Sequence, residues 1–139
     1  MELRDEVLKE MALLRERAAD VSGSVACTVD GLPIACDLPS SGPGIGTGNG
    51  TGDGGAQTAA LSAALLAMSK RMIAGTGRGA LEETLISGTA GYAACYAAGP
   101  TIVLTVLAGP GANLGLLRLE GRRTAAGLAA IAARERRKT

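Results

Sequence analysis

The chain has 139 residues, room for one domain with a continuous core but not comfortably for two. Its 14 Lys plus Arg against 13 Asp plus Glu leave a net charge of +1, so no global field draws it to nucleic acid or to an acidic membrane. Histidine, Trp and Phe are absent and Tyr92 and Tyr96 are the sole aromatics, which removes the commonest general base and zinc ligand together with the stacking platforms of single-strand binders.

Residues 2–20 set Leu3, Val7, Met11, Leu14 and Ala18 at steps of three and four among charged residues, the pattern of one amphipathic helix. Both charge signs run through its first turns, unlike a signal peptide, so secretion is not expected. SVACTV (24–29) and LPIACD (32–37) then flank Asp30-Gly31, a dipeptide suited to a two-residue hairpin turn. Pro33 lacks an N–H and would leave a gap in a ladder, which predicts that the second strand lies at a sheet edge. Cys27 and Cys36 fall on one face of this hairpin but diagonally, a poor disulfide geometry. With Cys95 they make an odd count without CxxC spacing, and read as small buried hydrophobes of a reducing, cytoplasmic compartment.

Residues 39–55, PSSGPGIGTGNGTGDGG, carry alternating glycines and no apolar periodicity, which predicts a flexible loop. GTGDGG at 50–55 matches GxGxxG only formally, because a dinucleotide site needs a tight turn directly off a buried parallel strand. No GxxxxGK[ST] phosphate loop occurs, and neither cofactor nor metal is expected. AQTAALSAALLAMSKRMIAG (56–75) is rich in helix formers and is closed by Gly75 and Gly77. Within it Leu61, Leu65, Met68 and Met72 form one stripe, while Ala59, Ala63, Leu66 and Ile73 add apolar surface beside it. Apolar surface wider than one sheet needs predicts burial on a second side, as in a homodimer seam.

LEETLISG (81–88), GYAACYAA (91–98) and PTIVLTVLA (100–108) read as a three-strand meander. Ile102, Val103, Leu104, Val106 and Leu107 are apolar without clean alternation, as a central strand covered on both faces would be. Glu82 and Glu83 have no histidine or metal-ligand cluster nearby and suit an edge or a solvated face better than an acid/base pair. Asn113 can cap a last helix from 114 to about 135 that carries Leu114, Leu117, Ala125, Leu128 and Ile131 on one stripe. Its basic end, RERRK (134–138), complements the helix dipole. No apolar stretch reaches the length of a membrane span. The order α-β-β-α-β-β-β-α predicts an α+β fold, a five-stranded antiparallel sheet with helices on both faces.

The segments GSVACTVDGLPIA (23–35), ALSAALLAMSKRMIAGTGRGALEETLISG (60–88) and TIVLTVLAGPGANLGLLRLEGRR (101–123), in this order, resemble the roadblock family of dynein light chains and bacterial regulators. The likeness covers nearly the whole chain, as a single roadblock or profilin-like domain over residues 1–139 with an inserted Gly-rich loop. It implies two protomers joined through the second helix and third strand, their sheets merging into one. That would set Leu61, Leu65, Leu66, Met68, Met72 and Ile73 of the helix, and Glu83 and Leu85 of the strand, at the interface. It also implies no active site, and a role in regulating small Ras-like GTPases in bacteria or in motor and cargo assembly. The Ala, Gly and Arg bias favours the GTPase setting. The alternative of another class is a small-molecule-sensing α+β domain, because such folds enclose ligand cavities. Few polar groups converge here to orient a ligand.

Overall fold

The computed structural model describes residues 2–38 and 53–138. The elements follow the expected order: α1 (Leu3–Arg17), β1 (Val21–Thr28), β2 (Pro33–Asp37), α2 (Asp53–Gly75), β3 (Thr84–Gly88), β4 (Gly91–Ala98), β5 (Ile102–Ala108) and α3 (Leu114–Lys138). All neighbouring strands are antiparallel, in the order β2-β1-β5-β4-β3. Pro33 therefore lies on an edge strand, where its missing N–H costs the ladder least. β5 is the middle strand, and Ile102 through Thr105 are buried on alternate faces, which explains its unbroken apolar run.

One face of the sheet is covered by α1 and α3 side by side. Val7, Met11 and Leu14 from α1 and Leu117, Leu128 and Ile131 from α3 close over Ala26, Tyr96, Leu104 and Val106. Ion pairs trim this layer, with Arg15 to Asp37 of β2 at 2.9 Å and Arg134 to Glu6 across the two helices at 3.2 Å. Among the described residues the other face carries only α2, with Ala59 and Leu66 over Val25, Cys27, Cys95 and Val103. A buried polar chain pins α2 to the sheet centre: Thr105 Oγ1 donates to Ser62 Oγ at 2.5 Å and lies 3.4 Å from Cys95 Sγ. The Cys27 thiol donates to the Ala59 carbonyl at 3.5 Å. Small residues at 59, 62 and 63 are what let the helix backbone come this close.

Of the boundaries that differ from the sequence reading, three have a specific cause. β1 starts at Val21, because Val21 and Gly23 pair with β5 across a bulge and have no counterpart on β2. The hairpin loop has three residues, not two. Thr28 donates to the Leu32 carbonyl at 2.9 Å, Gly31 donates to the Thr28 carbonyl at 2.9 Å, and Leu32 donates to Thr28 Oγ1 at 3.1 Å. Gly31 closes the loop at φ 91°, the left-handed position such loops require, and a Cβ there would lie 3.2 Å from the Ala60 Cα of α2.

The third boundary is the start of α2, at Asp53, so residues 53–55 of the expected loop are helical while 39–52 lie outside the described residues. Glycine is a poor helix former, yet Gly55 is kept by contact, since a Cβ there would come within 2.5 Å of Cys36 Sγ. Cys27 and Cys36 do share a face diagonally, Cys36 facing Val25 across the ladder, and all three thiols are free.

Candidate partner-binding surface

The 23 residues of α2 divide into two apolar sides with opposite fates. Ala59, Ser62, Ala63 and Leu66 point at the sheet, whereas Leu61, Met68 and Met72 point outward at 63%, 60% and 70% exposure. Leu65 is half-buried at the margin of the core under the helix, and Ile73 is half-buried further along. Exposed Ala60, Ala64 and Ala67 complete the outer surface. Three large exposed apolar side chains spaced seven and four residues apart form a stripe that nothing among the described residues covers.

Leu66, which the family resemblance would set at the interface, is 2% exposed and packs into its own protomer against the sheet.

Beside this stripe runs β3, the edge strand opposite β2, four of whose five residues are exposed. Residues opposite one another on an antiparallel ladder share a face. Ile86 faces Ala93, on the α2 side with Cys95, while Leu85 faces Ala94, on the side of α1 and α3. Both are exposed large hydrophobics. Ile86, at 45% exposure, is the residue that sequence reading missed. The signal was its alternation with Leu85, which obliges one of the two to share the side of α2.

Glu83 is not the solvated charge that the sequence suggested: its side chain is only 11% exposed and turns toward α3, where it pairs closely with Arg118 and at 3.5 Å with Arg122. Glu82 reaches Arg122 at 3.5 Å from an exposed position. Tyr96 is buried nearby, and burial together with the Glu83 carboxylate pushes its phenol up to about 12.

The thiols offer no nucleophile. Burial, with the neighbouring Cys95 and Cys36, pushes Cys27 up to about 11, and burial raises Cys36 and Cys95 as well. Among the described residues no group of three His, Cys, Asp or Glu is placed to hold a metal ion. A groove of about 530 Å³ between α1 and α3 is floored by Leu13, Gly127 and Ile131 and rimmed by Glu6, Lys9, Glu10 and Arg134, a mixed-charge lining with no convergent polar set. Among the described residues no helix is long and apolar enough to cross a membrane. What the surface offers is association: a helix stripe, exposed Ile86 and a strand edge with open backbone groups.

The family model described as the Roadblock/LC7 domain matches residues 7–108, from α1 to the end of β5. No curated protein matches the chain. Among solved structures, the gliding protein MglB of Thermus thermophilus is similar at 17% identity and TM-score 0.79, over 96% of this chain and 93% of that one. A structure described as MglB with tetrameric arrangement is similar at 18% identity and TM-score 0.80, over 96% and 93%. The Roadblock/LC7 domain from Streptomyces avermitilis is similar at 21% identity and TM-score 0.70, over 84% and 89%. At these identities the likeness is one of fold. It takes in nearly the whole chain, beyond the residues the family model matches.

Proposed function

The chain belongs to the Roadblock/LC7 family, and from that premise we propose that it is a non-catalytic, cytoplasmic homodimeric adaptor whose composite surface binds a small Ras-like GTPase. The whole chain acts as one domain in this role. The observation that carries the reading is the juxtaposition of the outward stripe Leu61, Met68 and Met72 with the free edge of β3. A second copy meets both needs at once. Its own stripe covers the apolar side chains, with Ala60, Ala64 and Ala67 permitting close helix approach, and its own β3 pairs with the open edge so that two five-stranded sheets become one. Among proteins of this fold, an MglB is known in a tetrameric arrangement.

Binding, not chemistry, is the activity. A regulator of this kind acts by holding the switch loops of its GTPase in one arrangement, which requires differential affinity for the nucleotide states. Light scattering tests the first link. The wild type is expected at the mass of a dimer and a Met68→Asp/Met72→Asp variant, folded by circular dichroism, at that of a monomer; a monomeric wild type overturns the reading. Affinity capture from a bacterial host tests the second, with a Ras-like GTPase as the expected partner. Capture of none by a stable dimer would leave a scaffold without a GTPase role.

A further inference from the structure

We propose that Glu83, gripped by Arg118 and Arg122, is a charge latch that couples α3 to the edge strand β3 and so sets how readily that edge pairs with a partner strand. The pairing role rests on the homodimer reading above; the latch is a property of the protomer alone. β3 is the least buried strand and has one neighbour, β4. Its lower end is secured by the short turn from Gly88 to Gly91, which are opposite one another on the ladder. Its upper end is reached from α2 through residues 76–80, all exposed, and is withdrawn from solvent at Leu81, Glu83 and Thr84. Leu81 packs against the core under α2. Glu83 lies on the opposite side, between two arginines one helical turn apart on α3.

The geometry makes this carboxylate more than a surface ion pair. The Glu83 side chain is nearly buried, one of its oxygens accepts no hydrogen bond, and Arg118 and Arg122 are the cations that offset its charge. With both arginines neutralised, the carboxylate would be left desolvated and unpaired, and the route back to water is to lift the first residues of β3 off the sheet. A displacement of α3 that separates its arginines from Glu83 would do the same. The edge would then lose the fixed backbone that a partner strand must match.

Hydrogen exchange on the full chain tests the latch. An Arg118→Gln/Arg122→Gln variant is expected to exchange the Leu85–Gly88 amides about tenfold faster than wild type, with β1 and β5 unchanged, and high salt should move the wild type toward the variant. Glu83→Gln, which keeps the shape, should bring β3 exchange back toward wild type once both arginines are replaced, because no desolvated charge is then left unpaired, the signature of one shared interaction. Unchanged β3 exchange in both variants overturns the proposal, as does equal acceleration in β1 and β5, which would make the cluster a general stabiliser. A monomeric wild type with β3-specific acceleration would keep the latch and discard self-association. A dimer with unchanged β3 exchange would do the reverse.

Discussion

The two faces of the sheet are finished differently. Two helices lie side by side over one face and bury most of its side chains, leaving Leu85 exposed toward the β3 edge. On the other face α2 is the one helix among the described residues, docked by small residues and Leu66 and carrying Leu61, Met68 and Met72 outward. Both faces have a buried apolar core. What distinguishes them is the leftover apolar area, and that area sits where a strand edge is also open. An unfinished face of this kind marks where association, rather than folding, completes the burial.

Three measurements would break or sharpen this contrast. The largest effect is expected from Leu66→Ala, which opens a cavity under α2 and should cost about 2–5 kcal/mol in urea unfolding. A cost near zero would mean that α2 is not docked through its inner side. Next, stability should fall as pH rises from 10 to 12. The Tyr96 phenol is held neutral in the folded state up to about 12 but ionises near 10 when unfolded, so the unfolded chain binds fewer protons across that window. The loss attributable to Tyr96 is on the order of 2–3 kcal/mol. Tyr96→Phe should remove that part of the decline, leaving the part due to Cys27, whose stabilising contribution is lost as pH rises from 9 to about 11. The smallest effect on the protomer is expected from Met68→Asp/Met72→Asp, within about 0.5 kcal/mol for each exposed site even though it should change the mass. A large loss of protomer stability there would show that the outer stripe serves the fold itself.

Much of the architecture was legible in the sequence, and particular residues show why. Pro33 betrayed an edge, and the unalternating run at Ile102–Leu107 betrayed a strand covered twice. Periodicity located α2 but could not orient it, because both of its sides are apolar and pattern alone does not say which meets the sheet. Close approach selects small residues on the inner side, where Ala59, Ser62 and Ala63 lie near Cys27 and Thr105, while Leu61, Met68 and Met72 go outward with Ala60, Ala64 and Ala67. Leu66 is the large residue of the inner side. The inward turn of Glu83 was out of reach for another reason, since it depends on arginines more than thirty residues further along the chain. Gly55 was read as loop because composition does not reveal the Cys36 contact that leaves no room for a side chain in the first turn of α2, again a distant one.

Gly31 closes the β1–β2 loop with a backbone torsion that other residues rarely adopt, and it also sits against Ala60 with no room for a side chain. One position thus answers to two unrelated demands, a torsional one from the hairpin and a volumetric one from α2. A substitution there cannot be rescued by relieving either demand alone, so tolerance to change at the hairpin tip should be far lower than its surface location suggests. The same coincidence ties the edge hairpin to the helix that bears the outward stripe, so a loop variant selected for altered association would carry a folding defect with it.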